Sequence, residues 1–185
     1  MSRPAPHRPA RIAVVVATIA AAFTVDQLTK AWALSSLSDG RIVELGLGAR
    51  LDLVFNPGIA FGLGASLGPA LVIALIAVAA ALVTWTMLRA INGTSLGGTA
   101  LLAVAAGGAM GNIWDRISRA TDGPLTGEVV DFIAVDWFAI FNVADIFTTC
   151  GIAGWALTLI LHRPPHAAPN STSPAAGRIL NQENL

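Results

Sequence analysis

The sequence predicts an all-α integral membrane protein with four transmembrane helices and a small extracytoplasmic β-like platform. Three observations point there. The chain has 185 residues, of which 55% are hydrophobic and only 12% charged, about half the charged share of an ordinary soluble domain. Its apolar residues fall into four long runs separated by polar turns. Its ionisable residues gather where those runs end rather than inside them. Eleven basic and eleven acidic residues cancel, so no nucleic-acid partner is expected.

The first run follows a polar start, residues 1–11, with three prolines and Arg3, Arg8 and Arg11. That stretch reads as a basic tail. The apolar pattern then continues from Ile12 through Asp26 and Lys30 to about Leu34. A basic start and an apolar core also suit a signal peptide, and Ala31-Trp32-Ala33 mimics a small-x-small cleavage site. The run is too long for that, so a retained helix is expected. Residues 41–55 alternate apolar and polar in part, and 56–68 are rich in Gly and Pro. Together they predict short strands and turns over 41–66. Pro69 to Leu88 is twenty residues without a charge, enough to cross a hydrocarbon core about 30 Å thick. Pro69 suits its first turn. A polar turn over 89–98 leads to a third span, Thr99 to about Ile117. There Gly107 and Gly111 form a small-xxx-small pair that permits close helix approach. Residues 118–137 read as a polar loop, about Ala139 to Leu161 as the fourth span, and 162–185 as a flexible tail. The lone Cys150 lies in an apolar run, where small-residue packing is its expected role.

Four spans put both termini on one side. The tails and the 89–98 turn hold Arg3, Arg8, Arg11, Arg89, Arg163 and Arg178, whereas Arg41, Arg50, Arg116 and Arg119 on the other side mingle with acids. Arginine bias therefore sets both termini in the cytoplasm and the 35–68 and 118–137 loops outside.

With that topology Asp26, Lys30, Asn112, Asp115, Arg116, Asp131, Asn142 and Asp145 collect near one level. Ionisable groups at membrane depth are costly unless paired or wet, which makes each a candidate site residue. Asp26 and Lys30 are four apart with the acid first, the order that suits a structural helical ion pair. Asn112 and Arg116 share a helix face, and Arg116 either snorkels to the interface or holds a carboxylate. Asp115, Asp122, Glu128 and Asp136 read as solvated or paired charges. Asp131 in "VVDFI" and Asp145 in "FNVAD" differ, with apolar neighbours and no adjacent cation.

His7, His162 and His166 all fall in the expected tails, which leaves no Ser-His-Asp or Cys-His arrangement. There is no H-E-x-x-H metal motif, no P-loop and no dinucleotide fingerprint. What remains is carboxylate chemistry. Two aspartates in a poorly hydrated site share a proton, either to hydrolyse a peptide or to carry protons or cations in a small transporter. Transporters place their charges near the midplane and carry internal repeats. This chain shows neither.

The ordered set "FTVDQLTKAWA" (23–33), "VFNPGIAFGL" (54–63), "GGAMGNIWDRI" (107–117), "VVDFI" (129–133) and "FNVAD" (141–145) resembles bacterial lipoprotein signal peptidase, or signal peptidase II. The likeness runs through most of residues 12–161. It implies an aspartic endopeptidase of the bacterial inner membrane that cleaves diacylglyceryl-modified prolipoproteins just before the lipidated cysteine. By position it implies catalytic Asp131 and Asp145. It also implies supporting or substrate-binding roles for Asn56, Gly111, Asn112, Arg116, Asn142, Asp26 and Lys30. It further implies no metal or organic cofactor, contact with membrane lipids, and inhibition by globomycin-type peptides. Two departures stand out: a short segment between "VVDFI" and "FNVAD", and Ile146-Phe147 where Ser and Ala are usual.

Overall fold

A computed structural model describes residues 7–161. Four long helices form the body: α1 (Arg8–Leu37), α2 (Pro69–Ile91), α3 (Leu96–Ser118) and α4 (Val143–Leu161). All four are long and apolar enough to cross a membrane. Antiparallel strands β1 (Val43–Gly46), β2 (Ala49–Asn56), β3 (Val129–Val135) and β4 (Phe138–Phe141) make one open sheet in that order. Two single-turn 3₁₀ segments, Ala60–Gly62 and Ala65–Leu67, lead from β2 into α2.

Three differences from the sequence-based expectation matter. The first helix begins at Arg8, so Arg8 and Arg11 belong to it and not to a tail. Residues 1–6 and the expected tail from His162 lie outside the described residues. The platform is not confined to 41–66, because half its strands come from residues 129–141. The fourth helix starts at Val143, and the stretch expected as loop and helix start is the β3–β4 hairpin.

The central helix is α3. Leu102, Ala103, Ala105 and Ala106 are buried in it. Its glycines let neighbouring backbones come close: a Cβ on Gly107 would sit 2.6 Å from the Ile19 carbonyl of α1. One turn later, a Cβ on Gly111 would collide with the Asp26 carboxylate. On α1 the buried positions are Arg11, Val15, Ile19, Ala22, Asp26, Lys30, Ala33 and Leu37. They repeat every three or four residues and so form one stripe, the face turned toward α3. Outward residues such as Ile73, Leu157 and Ile160 are apolar and exposed, as lipid-facing helices require. The sheet closes the end of the bundle where α1 and α3 finish and α4 begins. Ala33, Leu37, Val130 and Phe132 form a separate core there.

The register of the sheet contains one decisive irregularity. Leu51 pairs with Ile133, but Val54 pairs with Asp131. β2 thus spends two residues where β3 spends one, a bulge that re-aims the following side chains. Without it Asn56 would point to the opposite face from Asp131.

Candidate active site

Asp131 lies in β3 and is buried. Asn56, brought to its face by the bulge, donates from Nδ2 to Asp131 Oδ2 at 2.9 Å. Asn142 donates from Nδ2 to Asp131 Oδ1 at 2.6 Å. Burial pushes the Asp131 carboxyl up to about 6, and the neighbouring Asp145 charge acts in the same direction, while the two asparagine donors pull it back.

Asp145 stands in the first turn of α4. Asn142 Oδ1 accepts the Asp145 N–H at 3.1 Å, and Asp145 Oδ2 accepts the Asn142 N–H at 3.0 Å. This reciprocal pair is a capping box, so the acid facing the cavity also starts the helix. Asn112 Nδ2 donates to Asp145 Oδ1 at 2.8 Å. The asparagine orientations follow from their partners. Lys30 Nζ, a donor only, lies 2.8 Å from Asn112 Oδ1, which turns the Asn112 amide nitrogen toward Asp145. Asn142 uses its oxygen on the helix and therefore offers its nitrogen to Asp131.

Behind this layer lies a buried ionic cluster. Lys30 Nζ is 2.9 Å from Asp26 and 3.0 Å from Asp115, and all three side chains are fully buried. Asp26 Oδ1 accepts the N–H of Ala144 at 3.0 Å. Asp115 Oδ2 accepts the N–H of Val130 at 3.2 Å. Each acid thus holds the backbone one residue before a site aspartate. Asp115, expected as a solvated or paired helix-end charge, is a buried support, and its pairing also reaches Arg119 at 3.3 Å. The one sequence signal for it was its position three residues after Asn112 on an apolar helix.

Arg116 does neither of the two things expected of it. Its guanidinium donates to the carbonyls of Gly58 and Pro57. Among the described residues no carboxylate lies at ion-pair distance from it. Asn56 Oδ1 accepts the Gly58 N–H at 2.9 Å. A Cβ at Gly58 would come within 2.6 Å of the Gly62 and Leu63 backbone, so only glycine fits this fold-back. The loop then carries Phe61, at φ 58, onto the Phe138 ring of β4, 5.5 Å between centroids.

These groups surround one cavity of about 370 Å³. Asp131, Asp145, Asn112, Asn56 and Arg116 line its polar part, and Leu75, Val78, Leu82 and Ile152 its apolar part between α2 and α4. The structure therefore brings Asp131, Asp145, Asn56, Asn112, Asn142 and Arg116 together. Asp26, Lys30 and Gly111 stand behind them. Among the described residues no cluster of three His, Cys, Asp or Glu side chains could hold a metal ion.

Residues 18–161 match the family model described as signal peptidase (SPase) II. The chain belongs to the signal peptidase II family. It is a membrane-spanning peptidase of the aspartic type, and the transporter reading of its carboxylates falls. Two similar proteins are the lipoprotein signal peptidases of Bifidobacterium adolescentis and Mycobacterium tuberculosis. The first is 40% identical over 94% of this chain and 89% of its own length. The second is 36% identical over 85% and 74%. Two solved bacterial membrane enzymes share the fold of this signal peptidase II chain. One has a TM-score of 0.62 at 23% identity, over 80% of this chain and 87% of its own. The other has 0.61 at 24%, over 81% and 94%.

Proposed function

We propose that the chain removes signal peptides from lipoprotein precursors, with Asp131 and Asp145 as a carboxyl pair sharing one proton. One observation carries this reading. Two aspartates from different elements line one cavity, and their contacts are amide donors, with no cation among the described residues on either carboxylate. Burial makes Asp131 the natural seat of the shared proton. Asp145 takes a proton from a water, whose oxygen attacks the scissile carbonyl carbon. Asp131 gives its proton to the carbonyl oxygen. Collapse of the tetrahedral intermediate breaks the C–N bond, and the proton gained by Asp145 passes to the leaving nitrogen. Asn56, Asn112 and Asn142 fix the two carboxyls. Arg116 anchors the loop that covers them. Asp26, Lys30 and Gly111 act through the backbone behind.

The substrate we assign is a diacylglyceryl-modified prolipoprotein, cut before its lipidated cysteine. The polar end of the cavity suits a peptide and its apolar end suits acyl chains. Globomycin-type peptides would compete for the same space, and bilayer lipids surround the helices. The arginine bias supports cytoplasmic termini and a site at the extracytoplasmic face. In this reading the peptidase domain, expected over 12–161, begins with α1 at Arg8, and the residues before it and from 162 to 185 lie in the cytoplasm.

The test is cleavage of a diacylglyceryl-modified precursor by purified protein in detergent. Asp131→Asn and Asp145→Asn should each abolish turnover, and the double variant should be no worse, because residues acting as a unit are not additive. Asp136, two-thirds exposed and paired with Arg50, supplies the control, and Asp136→Asn should keep most activity. Turnover in either dyad variant, or loss in the Asp136 variant alone, would refute the assignment.

A further inference from the structure

Among the described residues, the opposite end of the bundle carries cations without counter-ions. Residues 7–25, 53–114 and 146–161 contain no Asp or Glu, so every described acid lies toward the sheet end. Arg8, Arg11 and Arg89 sit at this other end. Arg11 is buried and spends its donors on the carbonyls of Ala90 and Thr94, which ties α1 to the α2–α3 turn. Arg8 is exposed. Arg89 is different. It stands in the last turn of α2, with its guanidinium 5.7 Å from the centre of the Trp85 ring. Trp85 packs edge-on against Trp155 of α4, 4.9 Å between centroids.

Two side-chain nitrogens among the described residues are shut off from solvent and have no hydrogen-bond partner: Arg89 Nε and Trp155 Nε1. Both belong to this one corner. Buried donors in folded proteins are almost always satisfied, so two neighbouring orphans indicate a missing acceptor. Arg89 Nη2, Thr158 Oγ1 and Trp155 Cδ1 also converge, 3.4–3.7 Å from the point where a Cβ on Gly98 would sit. Gly98 lies in the first turn of α3, whose N-terminus adds a positive field. An anionic group rich in acceptor oxygens would satisfy both donors and the guanidinium charge. It must also reach a corner rimmed by exposed Trp85 and Leu88 on helices that cross lipid.

We propose that this corner, between the end of α2, the start of α3 and the last turns of α4, binds the phosphate of an anionic phospholipid through Arg89 and Trp155. The partly exposed guanidinium meets the phosphate first. A small rotation of the two side chains then presents the Arg89 Nε–H and the indole N–H to its oxygens. Trp85 and Leu88 flank the acyl chains. Basic pockets between helices at a membrane surface recognise headgroups by this chemistry.

The test uses the full-length protein in neutral detergent, with lipid binding read by tryptophan fluorescence and by native mass spectrometry. Short-chain phosphatidylglycerol should bind more tightly than phosphatidylcholine. Arg89→Gln should weaken that binding about tenfold, and Trp155→Phe, which keeps the ring but loses the donor, about fivefold. Arg89→Lys keeps the charge without the fork and should fall between wild type and Arg89→Gln. Arg8→Gln should bind like wild type. Equal binding of the two lipids by the wild-type protein overturns the proposal without recourse to any variant. So does an Arg8→Gln loss as large as that of Arg89→Gln, which would mean diffuse charge attraction. Competition by inorganic phosphate at concentrations matched to the lipid would replace the lipid with a soluble anion.

Discussion

Asp131→Asn should change the pH dependence of stability as well as the chemistry. The Asp131 carboxyl moves from 3.8 to about 6 in the folded protein, chiefly by burial. At 1.36 kcal/mol per pH unit this corresponds to about 3 kcal/mol. The folded value lies above the unfolded one, so the wild-type fold is favoured by this group below about pH 4. It loses that advantage as pH rises through about 6 and stays level beyond. The side chain is only 3% exposed, so little of the effect is screened away. Asparagine does not titrate and removes this slope. It also places an NH₂ where one carboxyl oxygen accepted from Asn56 or Asn142, which costs about 1–3 kcal/mol. The two effects have opposite signs. At pH 4 the variant should melt below wild type, and by pH 8 it should draw level or pass it. The swing should be about 10 °C for a chain of this size. Thermal unfolding in detergent at pH 4, 6 and 8 measures it, and the carboxyls remote from Asp131 cancel in the difference between the two proteins. Melting curves that stay parallel across that range would refute the claim that burial loads Asp131 with a proton.

Lys30→Met leaves Asp26 and Asp115 buried without their common cation, and should cost about 3–5 kcal/mol in unfolding experiments. Arg116→Ala releases the Pro57–Gly58 carbonyls, and steady-state kinetics should show kcat/KM falling about a hundredfold or more while helix content by circular dichroism is kept. Reporter fusions at Ser95 and after residue 165 should report cytoplasm, and one at Leu45 the outside; an outside signal at Ser95 would reverse the assigned orientation.

The four spans were legible because long apolar runs have no soluble explanation, and they are present as α1 to α4. β2 was legible by alternation. β3 and β4 were not, because "VVDFIAVDWFAIF" is almost continuously apolar. β3 is buried through most of its length, and a strand covered on both faces loses the period-two signal that separates it from a helix. The pairing of Asp26 with Lys30 was readable from their spacing, and the burial stripe on α1 explains why both face inward. Asp115 was obscured by Arg116 and Arg119, which offered a solvated pairing close at hand. The contact of Arg116 with Pro57 and Gly58 spans nearly sixty positions, and nothing local to residue 116 encodes it. The bulge that turns Asn56 toward Asp131 is likewise a property of two paired strands, not of either sequence alone.

The placement of the two aspartates follows from what each element needs. A strand and a helix start present carboxyls from rigid backbone, but the two elements must keep a fixed separation for the acids to act as the proposed pair. One buried lysine does this through two acids. Asp26 reaches the N–H of Ala144, the residue before Asp145. Asp115 reaches the N–H of Val130, the residue before Asp131. Lys30 binds both acids and also Asn112, which contacts Asp145 directly. A shift of α4 relative to β3 would therefore break hydrogen bonds to buried carboxylates, where an unpaired partner is most costly. The same cluster satisfies the buried N–H of Ala144 in the first turn of α4, which no intrahelical bond could. Apolar packing between small residues would leave the helix end and the strand free to slide. The ionic cluster is the part of the fold that couples them, so its loss should disorder the carboxyl pair before it unfolds the bundle.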